Sequence, residues 1–132
     1  MISSENKSTQ ELLQHFKLYS DLSLDTIISQ IESKSGKSIY DFISDFTEKK
    51  RYYEILKHCV TTNKVVSIIG NIPVEACTWY RWNLDKEGHV VASALKVKCP
   101  YTKNLAHLIT ADQDKFYELT QQPASNQLNL FL

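Results

Sequence analysis

Apolar residues recur at helical spacing through the first two-thirds of the chain and switch to alternation beyond it. Ser8-Thr9-Gln10-Glu11 reads as a capping box, with Ser8 as N-cap and Glu11 three residues on. Leu12, Leu13, Phe16 and Tyr19 follow as one helical face. A second helix starts near Ser23, carries Leu24, Ile27, Ile28 and Ile31, and stops at Ser35-Gly36, where glycine suits a left-handed turn. Ile39, Phe42, Ile43 and Phe46 predict a third, short helix. Together these make a helical N-terminal unit over residues 1–46 that carries no recognisable chemistry.

From Thr47 the pattern predicts a helix marked by Tyr52, Tyr53, Leu56 and Val60 with a basic start, Lys49-Lys50-Arg51. A short helical stretch over residues 64–69 comes next, and Gly70-Asn71 breaks it. Pro73 suits the first position of a further helix, which tolerates proline because that N–H is unpaired anyway. This helix is expected to run to about Glu87 and end at Gly88. Then the period becomes two. Leu95, Val97 and Cys99 alternate with Lys96 and Lys98, as in a half-buried strand. Residues 100–104 form a loop, and residues 105–111 return as the second strand. Asp112 is placed to cap a last short helix through Leu119, and polar residues 120–126, with Pro123, read as a flexible linker. The expected fold class is α+β, mostly α, divided as 1–46, 47–120 and 121–132.

Lysines plus arginines number 15 and acids 15. Such balance argues against indiscriminate coating of nucleic acid and leaves room for a local basic patch. Cys59, Cys77 and Cys99 are odd in number and widely spaced, a poor disulfide framework, so reduced thiols in a cytoplasm are expected. No signal-peptide run opens the sequence, and no stretch approaches the roughly 18 apolar residues of a membrane span. A soluble, cytoplasmic protein with no membrane partner is expected.

His15, His58, His89 and His107 are scattered without metal spacing. Cys99 and His107 are placed to meet across the hairpin, a nucleophile arrangement in principle, although a buried thiol beside a strand histidine is the commoner reason for such a pair. There is no P-loop and no dinucleotide fingerprint, and only three glycines are present to build phosphate-cradling loops. No cofactor, metal or enzymatic activity is expected.

The order helix, short helix, turn, helix, hairpin over residues 47–111 resembles a winged helix-turn-helix. The resemblance is carried by Gly70-Asn71-Ile72-Pro73-Val74, Tyr80-Arg81-Trp82 and Leu84-Asp85-Lys86-Glu87-Gly88-His89-Val90. It implies that Val74, Cys77 and Leu84 face the core, with Tyr80 or Arg81 completing the stripe. Glu75, Thr78, Trp79, Trp82, Asn83 and Lys86 would then face outward. The resemblance further implies a reading helix in a major groove and a wing on the flanking backbone. Arg81 and Asn83 suit guanine and adenine edges, Thr78 and Lys86 lie beside them, and Lys96, Lys98 and Lys103 suit phosphates. Glu75, Asp85 and two tryptophans depart from a typical cationic reading helix. The ordinary expectation for Trp79 and Trp82 is packing against the N-terminal helices. If exposed, they suit a protein surface or a platform for stacked bases.

Gln127-Leu128-Asn129-Leu130-Phe131, followed by Leu132, resembles the pentapeptide with which bacterial polymerases, repair proteins and replication factors dock on the DNA sliding clamp. Asn129 departs mildly from the serine or aspartate more usual there. Chance occurrence of the four fixed residues in a given window is on the order of 10⁻⁵ from average usage. An alternative is that Leu130-Phe131-Leu132 folds onto a groove of its own domain. The expected function is a non-catalytic adaptor or regulator with the clamp and DNA as partners. Two other readings stay open: a protein-interaction module or inhibitor, of phage or mobile-element type, that acts on a host complex without binding DNA, and a plain transcription regulator. A homodimer through the N-terminal helices also stays open.

Overall fold

The computed structural model describes residues 7–123, so the 127–132 peptide lies outside the described residues. Ser8 closes the expected capping box: its hydroxyl accepts the Glu11 N–H at 3.2 Å while Glu11 Oε1 accepts the Ser8 N–H at 2.9 Å. Helix α1 (Thr9–Ser20) follows, burying Leu12 and Phe16. Ser23 caps α2 (Leu24–Ser35), which ends where Gly36 takes a φ of 74°. Ser38 caps the six-residue α3 (Ile39–Ser44). Helix α4 (Glu48–Leu56) buries Tyr52, Ile55 and Leu56 and stops short of Val60.

Helix α5 (Asn63–Gly70) keeps Gly70 inside the helix, and Asn71 takes the left-handed turn at φ 53°. Asparagine tolerates this conformation better than other side-chain-bearing residues. The reason for glycine at position 70 is packing, since a Cβ there would meet Ile55 Cδ1 at 2.9 Å and Ile72 Cδ1 at 3.0 Å. Pro73 is the N-cap, in extended backbone at ψ 140°, one residue before the first turn where the sequence predicts it. Helix α6 (Val74–Lys86) buries Cys77 and Leu84. Val74 is 38% exposed, against expectation, and Ala76 is the residue of the first turn that packs against the core.

Strands β1 (Val91–Lys98) and β2 (Leu105–Thr110) pair antiparallel, with an irregularity between Ala92 and Lys96. Ser93 substitutes for the ladder there. Its hydroxyl accepts the Leu108 N–H at 3.0 Å and donates to the Leu95 carbonyl at 2.5 Å. Thr61, between α4 and α5, bridges to Ile109 on the other edge of β2, with N–H···O distances of 3.1 and 2.7 Å. A 3₁₀ turn (Gln113–Lys115), capped by Asp112, leads into α7 (Phe116–Thr120). The protein is thus mostly helical with one small antiparallel sheet. No described helix is long and apolar enough to cross a membrane.

Side chains alternate across a strand, so neighbouring β2 residues enter different cores. Ile109 joins a central cluster with Ile27 and Ile31 of α2, Phe42 of α3, and buried residues of α4, α5 and α6. Leu108 joins a second cluster with Leu12 and Phe16 of α1, Val60, Val97 and Leu119 of α7. The first three helices therefore serve two different layers: α2 and α3 extend the central core, and α1 covers the hairpin together with α7. The hairpin's Val97 and Leu108 would otherwise face water, and the Leu12–Phe16 stripe is what closes over them.

Arg51 ties the ends of α3 and α5 to the connection between α3 and α4. Its Nε donates to the Ile43 carbonyl at 3.0 Å, Nη2 to the Phe46 carbonyl at 3.3 Å and Nη1 to the Gly70 carbonyl at 2.8 Å. Elsewhere, Glu118 of α7 accepts from Tyr19 and His15 of α1, clasping the two helices over the hairpin. Burial pushes the Glu118 carboxyl up, but these hydrogen bonds outweigh it and hold the group below the usual carboxylate range.

Arg51→Met should lower the stability by about 2–4 kcal/mol, because charge-assisted bonds are lost and helix-end carbonyls are left unpaired. Lys50→Met, one residue away and exposed, should stay within about 0.5 kcal/mol. Urea midpoints check this, at unchanged slope. For Glu118 the sign follows from its depressed folded pKa. The stabilisation is complete above the unfolded value of about 4.3 and is lost as pH falls through the folded value. Melting temperatures of the parent should therefore drop below about pH 4.5 more steeply than those of Glu118→Gln.

Candidate nucleic-acid interface

Helix α6 is fixed from its inner side. Cys77 and Leu84 enter the central core, and the Tyr80 hydroxyl donates to Glu48 Oε1 at 2.6 Å, tying α6 to the first turn of α4. That hydrogen bond, ahead of burial, pushes the Tyr80 phenol up. Burial pushes the Cys77 thiol up to about 12, so it stays a neutral packing group. With its inner side committed, α6 offers its opposite side to solvent.

Trp79 and Trp82 lie on that open side, 65% and 54% exposed. The expected packing against the N-terminal helices does not occur: α1 is on the hairpin, and α2 and α3 are on the central core. The indoles touch each other edge to face, centroids 6.1 Å apart and planes at 86°. Lys86 Nζ sits over Trp82, 4.9 Å from the ring centroid. Thr78 is exposed beside them, its hydroxyl donating back to the Val74 carbonyl.

Arg81 and Asn83, both expected to meet base edges, do not share a face. Two residues along a helix turn by about 200°, so they flank α6 on opposite sides. Arg81 leans toward Asp85, Nη2 to Oδ2 3.5 Å, and its buried Nε has no hydrogen-bond partner among the described residues. It lines a groove of about 530 Å³ with Asn63, Thr78, Trp82, Asp85 and Lys86. Asn63 opens α5 and accepts from the Tyr52 hydroxyl at 2.6 Å, a fixed polar wall that spacing alone does not reveal. A second groove of about 500 Å³, between Glu75, Thr78, Trp79 and Trp82, lies across the Trp82 ring. Asn83 is half-buried on the far flank.

The hairpin lysines gather elsewhere. Lys96 and Lys98 pair across the ladder with His107 and Leu105, both exposed on one strand face. With Lys103, at the loop, they line a groove of about 550 Å³ whose other wall is Leu13 and Lys17 of α1 and Asp21 just after it, the last two paired at 3.1 Å. Lys17 is a fourth cation that the hairpin pattern could not announce, because it arrives with α1.

Cys99 and His107 go to separate partners. The Cys99 thiol is buried 3.6 Å from the Thr62 hydroxyl, and His107 Nδ1 faces the Ser93 carbonyl at 2.8 Å. Burial pushes Cys99 up, but hydrogen bonds from Thr102, Thr62 and Tyr101 outweigh it and leave the thiol below its ordinary value. Among the described residues no His, Cys, Asp and Glu cluster is arranged to hold a metal. Gln127, Leu128, Leu130, Phe131 and Leu132 lie outside the described residues.

Comparison with protein-family models, with curated proteins and with solved structures gives no match. The exposure of α6 has a direct consequence for stability. Trp79→Ala and Trp82→Ala should each change the unfolding free energy by less than about 1 kcal/mol. Leu84→Ala, on the inner side of the same helix, should cost about 2–5 kcal/mol. Chemical denaturation of the three variants reads the contrast.

Proposed function

We propose that this protein is a non-catalytic, nucleic-acid-associated adaptor that docks on a DNA sliding clamp through residues 127–132 and binds nucleic acid through a winged helix. The observation that carries the nucleic-acid half is the order α4, Thr61 bridge, α5, α6, β1, β2, with α6 open to solvent and three hairpin lysines exposed. A one-residue bridge between the first two helices, paired to the returning strand of the hairpin, fits the winged-helix reading. Support for the clamp half is the pattern Gln127, Leu128, Leu130 and Phe131, with Leu132 after it. Burying these apolar side chains in a partner cleft is worth roughly 1.5–3 kcal/mol each. Ordering the peptide costs about 1–2 kcal/mol per residue. The sums nearly cancel, so the peptide alone binds weakly, and a second contact through nucleic acid raises occupancy by effective concentration.

The balanced charge of the chain, 15 cations against 15 acids, makes the cationic cluster local. Lys96, Lys98, Lys103, Lys86 and Arg81 together suit roughly three to five phosphates, with Arg81 partly spent on Asp85. A second reading has a specific observation behind it. Trp79 and Trp82 are exposed beside Glu75, which suits a protein partner, so the domain would act on a host complex without binding DNA.

Deleting residues 127–132 should abolish capture by purified bacterial sliding clamp and leave the circular-dichroism spectrum and melting temperature nearly unchanged. A large loss of stability on deletion would instead assign the peptide to the fold and end the docking idea. Affinity for nucleic acid should fall with salt at a log–log slope of about −3 to −4.5. Lys96→Ala with Lys98→Ala should reduce that slope by about two and weaken all sequences alike. Absence of binding to duplex and to single strands at low salt would remove the nucleic-acid half and favour the protein-partner reading.

A further inference from the structure

Glu75, Trp79, Trp82 and Lys86 stand at i, i+4, i+7 and i+11, so they form one stripe along the open side of α6. The stripe runs for about 16 Å. Its charge is negative at one end, positive at the other, and its middle is aromatic. Because the two indole planes are nearly perpendicular, the rings do not stack on each other. The Lys86 ammonium stands over one face of Trp82, so a planar group stacking on that ring takes the opposite face. Trp82 is also the wall between two grooves of about 530 and 500 Å³, which share Thr78. On one side of the wall stand the Asn63 amide, the Arg81 guanidinium and the Lys86 ammonium; on the other stands Trp79.

This chemistry is poor for a duplex. A paired base hides both its faces in the helical stack, so an indole has nothing to stack on. Phosphate contact would ask for more cations than the single lysine of the stripe, set against Glu75. The indoles and Arg81 would suit a protein partner, but the centre of a protein interface is depleted in charge. Here Glu75, Arg81, Asp85 and Lys86 all lie within a turn of the indoles. An unpaired nucleobase has what fits: a flat face for the indole, polar edges for Asn63 and Arg81, and a phosphate within reach of Lys86.

We propose that the open side of α6 is a stacking platform for unpaired bases, so that this helix engages single-stranded nucleic acid rather than the major groove of a duplex. Trp82 and Trp79 each take one base, and the strand's phosphates lie toward Arg81 and Lys86, away from Glu75. The proposal rests on the reading that the protein binds nucleic acid, and it replaces base-edge reading by Asn83, which sits on the far flank.

The chain contains two tryptophans, and both are on this stripe, so intrinsic indole fluorescence reports this site alone. The test titrates the full chain with an oligo-dT of about 12 nucleotides and with a duplex of equal length. A labelled-oligonucleotide anisotropy signal, followed in parallel, reads binding anywhere on the molecule. Single strand should quench the indoles and duplex should not. Trp82→Leu should weaken oligo-dT binding roughly 5- to 100-fold, the range for one lost stacked base, with circular dichroism unchanged. Lys96→Ala with Lys98→Ala should keep the quenching at saturation. Anisotropy changes without quenching would place nucleic acid elsewhere, overturning the platform while sparing the nucleic-acid reading. Equal or stronger quenching by duplex would also overturn it. No anisotropy change with either oligonucleotide would overturn both. Loss of sliding-clamp capture by Trp79→Leu with Trp82→Leu, without oligo-dT quenching in the parent, would reassign the face to protein and overturn the platform.

Discussion

The convergence of three backbone carbonyls, two at helix ends and one in the α3–α4 connection, on one guanidinium sets the frame on which everything else in this protein depends. A helix ends with carbonyls that have no partner inside the helix, and bringing two such ends close together in a half-buried place is unfavourable without a shared donor. Arg51, from the first turn of α4, is that donor for Ile43, Phe46 and Gly70. Its planar fork can serve several acceptors at once, which an ammonium does less well. The end of α5 at Gly70 fixes the turn through Asn71 to Pro73, and that turn fixes where α6 begins. Gly70 completes the arrangement by leaving space for Ile55 and Ile72 where a Cβ would intrude. The direction in which Trp79 and Trp82 point is thus set at a distance, by a residue that touches neither.

A second constraint is the hairpin's apolar surface, one face at Val97 and Leu108 and the Ile109 end of the other, beyond which Lys96 and Lys98 stay exposed. An antiparallel ribbon this small needs cover over its apolar parts. The central helices cover one side through Ile109, and α1 with α7 cover the other through Leu108 and Val97. With α1 on the hairpin and α2 and α3 on the central core, none of the three covers the tryptophans of α6. On the proposed reading this division is functional: the outer helices stabilise the wing, and the aromatic stripe of α6 is left for a ligand. It also puts Lys17 of α1 beside the hairpin lysines, so the cationic groove is a joint product of the first helix and the sheet.

Much of the local structure was legible because it is local. Ser8 caps α1 as its capping box predicts, α2 starts at Ser23, and Gly36 ends α2 as its conformational freedom suggests. The switch to period two correctly located the hairpin, since alternation of Lys96 and Lys98 with Val97 has no other ready meaning. What escaped was decided by tertiary partners. Two indoles on one helix predict burial, and only the destination of α1 makes them exposed. Arg81 and Asn83 share the chemistry of base-edge contacts, but residues two positions apart on a helix are turned by about 200° and cannot face one way. Nothing in Ser93 announces a hydroxyl standing in for a backbone acceptor. Cys99 and His107 both belong to the hairpin, yet the register pairs His107 with Lys96, and the two side chains go to Thr62 and to the Ser93 carbonyl. Arg51 looked like one cation of a basic run, and its role emerges only when the ends of α3 and α5 are in place.

The central claim is that one small chain joins a sliding clamp to nucleic acid through two separate surfaces, so both partners should be held at once. The most direct measurement is sedimentation velocity of an equimolar mixture of this protein, purified clamp and a fluorescently labelled oligo-dT, with absorbance of protein and dye followed together. The account expects a single faster boundary carrying all three components, reduced to protein and oligonucleotide alone when residues 127–132 are removed. Displacement of the oligonucleotide by the clamp, or a boundary that never contains both, would contradict it.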